Sequence, residues 1–193
     1  AAVKGAGKPV TVKIRAGWDE ASVNAVEIAR AAAAGGAAAV AVHARTREQF
    51  YSGRADRAVI AAVKHAVSIP VIGNGDVTDG ASGMSRMDET GCDFVMVGRG
   101  ALGNPWIFRE LNAAWTGTEP PAAPSMEDKK QMMIRHFRDV LALKGEYAAV
   151  REMRKHVGWY LKGLPGSAAF RGMVNQITKA QELESAIRNL GCR

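Results

Sequence analysis

Four short apolar runs in the first hundred residues end on polar side chains suited to holding anions. They are Lys13 with Arg15, His43 with Arg45, Asn74 with Asp76, and Gly98 with Arg99. The last two runs are the most informative. Val71-Ile72-Gly73-Asn74-Gly75-Asp76 and Val95-Met96-Val97-Gly98-Arg99-Gly100 both stop at glycines, where a backbone can turn tightly after a buried strand. Two such strand ends in a βα series form a natural phosphate cradle, helped by a helix N-terminus. Lys13 adds to this, because a lysine inside a buried strand is costly unless an anion partners it. Each residue also has an ordinary reading: a solvated lysine, a satisfied core histidine, a turn at Asn74–Asp76. Four polar strand ends in succession point instead to one site at one end of a sheet.

The elements that would position them follow from the hydrophobic period. Pro9 to Arg15 alternates and is β-branched, which predicts a strand, and Asp19 or Ser22 can cap a helix through Ala25, Ile28 and Ala32. Ala38 to His43 is a second strand, followed by a polar loop over 44–54 and a helix opened by Asp56. Ser68 to Ile72 is a third strand before a helix over about 79–90. Asp93 to Val97 is a fourth, and Asn104-Pro105 starts a helix through Ile107, Phe108 and Leu111. Ala1 to Lys8 reads as the end of a helix entering the first strand.

Strand and helix alternating four times imply a parallel sheet with right-handed crossovers. Residues 1–115 hold these units, about half of the roughly 250 residues of an eight-unit barrel. The expected class is therefore α/β: the C-terminal half of a TIM (β/α)8 barrel followed by a small all-α helical domain. Its first half is expected to lie outside this sequence, because four units alone leave edge strands unpaired and one face half covered. An intact four-unit open sheet is the competing architecture. A proline-rich linker spans 116–125, and beyond it the period is helical to residue 193, with helices expected at about 126–143, 148–162 and 177–190.

Charge is unevenly spread. Residues 1–125 carry 13 basic against 12 acidic side chains, a net +1, whereas residues 126–193 carry 13 against 7, a net +6. A basic segment joined to a neutral one suggests a polyanionic partner such as nucleic acid. Arg151, Arg154, Lys155 and Lys162 fall within about a 100° arc of one helix, with Val150, Met153, Val157, Tyr160 and Leu161 on the neighbouring arc. No apolar run is long enough to span a bilayer and no signal-peptide pattern opens the chain, so a cytoplasmic protein without membrane contact is expected. Cys92 and Cys192 make neither a disulfide framework nor a metal site.

Several motifs together resemble one family. Val12-Lys13-Ile14-Arg15-Ala16-Gly17-Trp18, His43-Ala44-Arg45-Thr46-Arg47, Ile72-Gly73-Asn74-Gly75-Asp76, and Gly98-Arg99-Gly100-Ala101 followed by Asn104-Pro105-Trp106-Ile107-Phe108 are similar to the tRNA-dihydrouridine synthases, the bacterial B-type group above all. Arg154-Lys155-His156 with Trp159-Tyr160 resembles a run in that family's helical domain. The resemblance covers essentially the whole chain. It implies an FMN enzyme that reduces uridines in tRNA to 5,6-dihydrouridine, with NADPH recharging the flavin. It also implies that Lys13 sits against the isoalloxazine, that His43 lines the flavin, and that Asn74, Gly75, Asp76, Gly98 and Arg99 hold the ribityl chain and phosphate. Arg45 and Arg47 become expected RNA contacts near the flavin, and Arg151, Arg154, Lys155 and Lys162 contacts on the helical domain.

Two departures from the family pattern matter. Ala44 stands where the family usually has glycine. The family's proton-donating cysteine, in an Asn-x-Gly-Cys-Pro motif of the first half barrel, has no counterpart here, and neither Cys92 nor Cys192 is placed to replace it. The 193 residues are thus expected to lack a catalytic residue of their own, to be inactive alone and to self-associate. Another flavin barrel, such as a dihydroorotate dehydrogenase, shares the lysine and Gly-Arg logic but has no need of a basic tail. A phosphate-binding barrel isomerase leaves Lys13 unexplained. A non-enzymatic RNA-binding module would rest on the C-terminal helices alone.

Overall fold

The computed structural model describes residues 1–191, which form two compact units, one of Ala1–Ala101 with Ile107–Pro120 and the other of Leu102–Trp106 with the described residues from Pro121 onward. Cys192 lies outside the described residues.

The first unit is a four-stranded parallel sheet in the order β1 (Thr11–Arg15), β2 (Ala39–His43), β3 (Val71–Asn74), β4 (Phe94–Met96). Helices α2 (Ala25–Ala34), α3 (Arg57–Ala66) and α4 (Gly80–Thr90) provide the crossovers, and α1 (Ala2–Ala6) precedes β1. The two faces of the sheet differ in kind. On one, Ile14, Val40, Val42, Val71 and Val95 pack with Ala25, Ala29, Ile60 and Val63 of the helices into a single core. Alternation sends Lys13, Arg15, Ala41, His43, Ile72, Asn74, Phe94 and Met96 to the other face. No buried core forms there: Lys13 and Phe94 are exposed, with Phe94 meeting the Trp115 ring edge to face at 5.5 Å. Helix α5 (Ile107–Thr116) packs instead on α4, where Gly80 and Gly83 admit Glu110 and Leu111 at distances no side chain would allow.

The second unit contains α6 (Met126–Tyr160), α7 (Ser167–Val174) and α8 (Ala180–Arg188). Its core is built from Met133, Ile134 and Phe137 on one part of α6, from Val150, Met153 and Val157 on the other, and from Leu183 and Ile187 on α8. Ser125 opens α6 through a reciprocal capping box with Asp128.

Four local expectations are corrected. Asp19 does not cap α2. It closes a single 3-10 turn at Glu20–Ser22, and the Ala16 carbonyl receives the Asn24 and Ala25 N–H groups instead. Pro105 lies in a turn two residues before α5, not at its first position. The Leu164-Pro165-Gly166 break is followed at once by α7, a helix the sequence reading passed over. Finally, α6 ends at Tyr160, so Lys162 lies beyond the helix and cannot share its face with Arg151.

Candidate functional site

Parallel register aligns the candidate side chains. Arg15 pairs with His43, His43 with Asn74 and Asn74 with Met96, so the four form one lateral row across the uncovered face, at the C-terminal ends of the strands. Lys13 stands one step below Arg15 on the same face. Asn74 is oriented by its own amide, whose Nδ2 donates to the Met96 carbonyl at 2.8 Å. Beyond β3 the chain turns through Gly75 at φ 127°, where a β-carbon would meet Ala55 at 2.7 Å and the His43 ring at 3.5 Å. Only glycine permits that approach.

The next residue, Asp76, organises the site. Its Oδ2 accepts from Arg45 Nη2 at 2.9 Å and from the Ala55 N–H at 2.8 Å, and its Oδ1 lies 3.6 Å from Arg99. Burial acts to raise the Asp76 pKa, but the Ala55 and Arg45 hydrogen bonds outweigh it, and the carboxyl is held below its usual range. Arg45 also donates from Nε to the Ser52 carbonyl and from Nη2 to the Gly53 carbonyl. At 2% exposure it faces no solvent, so Arg45 is an internal clasp for the 44–56 loop rather than a surface contact for RNA. One of its nitrogens, Nη1, is buried without a partner. Arg47, by contrast, is exposed.

Electrostatics set the protonation of the row. Burial first, then the charges of Arg15, Lys13 and Arg45, lowers the His43 pKa to about 4, so the imidazole is neutral at physiological pH. Partial burial and the neighbouring Arg15 charge lower Lys13 from its ordinary value as well. Gly98 and the exposed Arg99 complete the mouth, with the Arg99 guanidinium 4.4 Å above the Tyr51 ring. A buried guanidinium with an open donor, an exposed guanidinium and a tight glycine turn form a donor set that suits a phosphate.

One residue escaped the sequence reading. Arg86 on α4 is 1% exposed, with Nε and Nη1 buried and unpartnered, and its stem lies against Gly73 beside Cys92. Nothing in the sequence distinguishes it from a solvated helix arginine.

In the second unit the basic residues divide. Arg151 is exposed and stacks 3.5 Å over Tyr147, and Lys155 is exposed 5.1 Å over Trp159. Arg154 is half-buried and donates from Nη2 to the Ile177 carbonyl at 2.6 Å, tying α6 to the segment before α8. Lys162 is exposed. No helix among the described residues is long and apolar enough to cross a membrane.

The family described as Dihydrouridine synthase (Dus) matches residues 1–190. A probable tRNA-dihydrouridine synthase of Rickettsia bellii is 48% identical over 176 residues, 91% of this chain and 54% of the relative. One from Mycobacterium leprae is 44% identical over 98% of this chain and 50% of its own length. The tRNA-dihydrouridine synthase B of Pseudomonas aeruginosa is 41% identical over 97% and 57%. The chain thus spans about half the length of the curated relatives it matches.

Proposed function

The chain belongs to the dihydrouridine synthase family, and from that premise we propose that it carries the flavin-facing half of an enzyme reducing uridine to 5,6-dihydrouridine in tRNA. The observation that carries this reading is the single row of Arg15, His43 and Asn74 on an uncovered sheet face, with the Asp76–Arg45–Arg99 cluster at its end. The sheet is read as half of a TIM barrel. Its uncovered face is the barrel interior, and the partner strands come from the remaining length of the relatives.

FMN is the cofactor that these residues fit, and when bound it supplies the hydride, with NADPH as reductant. Asn74, Gly75, Asp76, Gly98 and Arg99 hold its ribityl chain and phosphate, with Arg45 closing the cradle from beneath. Lys13 places positive charge where the flavin ring gains negative charge. His43, being neutral, serves as a hydrogen-bonding wall and not as an acid. Reduction of uracil also needs a proton at carbon, and Cys92, the free thiol among the described residues, is buried. The donor is therefore assigned to the half that these residues do not include. Arg151, Lys155 and Lys162 contact tRNA phosphates, and Arg154 supports that surface from within.

The roles separate experimentally in a protein carrying this chain at the relatives' full length. Arg99→Ala removes a phosphate partner and mainly lowers flavin occupancy, read from absorbance. Lys13→Ala leaves occupancy nearer to wild type but slows flavin reduction or uridine turnover. Equal losses of occupancy and rate in both variants would show the division of roles to be wrong.

A further inference from the structure

The loops after β1 and β2 present three large rings to solvent: Trp18 at 63% exposure, Phe50 at 56% and Tyr51 at 47%. Their arrangement is not a random scatter of surface aromatics. The Arg47 guanidinium lies 5.7 Å from the Trp18 ring and 6.0 Å from the Phe50 ring, so one cation is within cation–π range of both. Phe50 and Tyr51 meet edge to face at 4.6 Å, and Arg99 covers Tyr51, which links the group to the phosphate cradle.

The backbone beneath is pinned. Arg15 Nη1 donates to the Thr46 carbonyl at 2.8 Å, and Arg45 holds the Ser52 and Gly53 carbonyls. The Arg47 and Glu48 N–H groups donate to the Gly17 and Trp18 carbonyls, joining the two loops. Phe50 itself is held at φ 50°, a left-handed conformation that a bulky residue adopts only at a cost.

We propose that Trp18, Arg47 and Phe50 form a stacking platform for unpaired nucleotides of the RNA substrate, beside the cofactor cradle. The proposal rests on the reading of this chain as part of a tRNA-dihydrouridine synthase, and it names a subsite of that same mouth. Chemistry on a base requires that base to leave its stack, at a cost of a few kcal/mol, and its neighbours then lose a stacking partner. Rings with a guanidinium beside them replace that stacking for any base and place a cation near the phosphates. A purely apolar protein partner would have no use for a guanidinium beside both rings. The stacking residues follow β1 and β2, and Gly75, Asp76, Gly98 and Arg99 of the phosphate cradle follow β3 and β4.

The test uses the protein carrying this chain at the relatives' full length. A short uridine-containing single-stranded RNA and an abasic ribose-phosphate strand of the same length are titrated at several salt concentrations. Trp18→Ala combined with Phe50→Ala should weaken binding of the RNA roughly five- to a hundredfold, with little change for the abasic strand and an unchanged salt slope. Trp18→Phe should retain most of the affinity. Unchanged RNA affinity, or an equal loss on both strands, overturns the platform. So does a fall in melting temperature with RNA affinity intact, which would mark the rings as a packing surface for protein. A wild-type protein that binds no RNA removes the proposed function as well, whereas one whose RNA binding ignores the rings removes only the platform.

Discussion

His43 sits among three cations and against Gly75, and this explains why its imidazole stays neutral. Its folded pKa, about 4, lies below the ordinary 6.5, so the unfolded chain binds more protons between those values. The stabilisation is present above about pH 6.5 and is lost as pH falls toward 4. An NMR titration of His43 should therefore show its transition near 4, and a midpoint near 6.5 would mean that the ring is neither buried nor crowded by charge. The buried arginines behave oppositely to each other. Arg45→Ala strands the Ser52 and Gly53 carbonyls and the Asp76 carboxylate, and should cost about 3 kcal/mol in denaturant unfolding. Arg86 Nε and Nη1 are buried without a hydrogen-bond partner, so Arg86→Leu should leave stability unchanged or raise it by about 1–3 kcal/mol. That Lys13, His43, Asn74 and Arg99 lie at or near strand ends was legible in the sequence, because the apolar runs and their glycine endings mark where the strands stop. The burial of Arg45 and Arg86 was not, because it depends on how a loop folds back and how a helix is rotated.

At the scale of elements, the four strands were legible to within a few residues, since β1 alternates and β2, β3 and β4 are short apolar runs. Helix starts were less so. Asp19 has the right side chain for a cap, yet the Ala16 carbonyl meets the first N–H groups of α2 and frees Asp19 to close its own turn. The path of α6 turns on one residue. Gly145 adopts φ 75° and ψ 169°, which breaks the helix between two amphipathic parts that pack into the same core. A β-carbon there meets nothing within 4 Å, so the cost of Gly145→Ala is conformational alone. That variant should lose about 1–3 kcal/mol of stability by thermal or chemical unfolding. A stabilised variant would mean that the break is not required by the packing of α6.

For the molecule as a whole, the two faces of the sheet carry the argument. One is closed by α2, α3 and α4, and the other bears Lys13, His43, Asn74 and an exposed Phe94 with β1 and β4 at its edges. Unpaired edges and exposed apolar side chains favour self-association. The 193 residues expressed alone should therefore sediment well above 20.5 kDa. A proton donor positioned at the substrate is typically worth ~10²–10⁴ in rate, and the proposed function assigns that donor to the part of the enzyme outside these residues. The most direct measurement is dihydrouridine content in unmodified tRNA after incubation with FMN and NADPH, using the 193 residues alone and a protein carrying them at the relatives' full length. Dihydrouridine is expected from the full-length protein and none from the 193 residues. Dihydrouridine made by the 193 residues alone, or none made by the full-length protein, would overturn the proposed function.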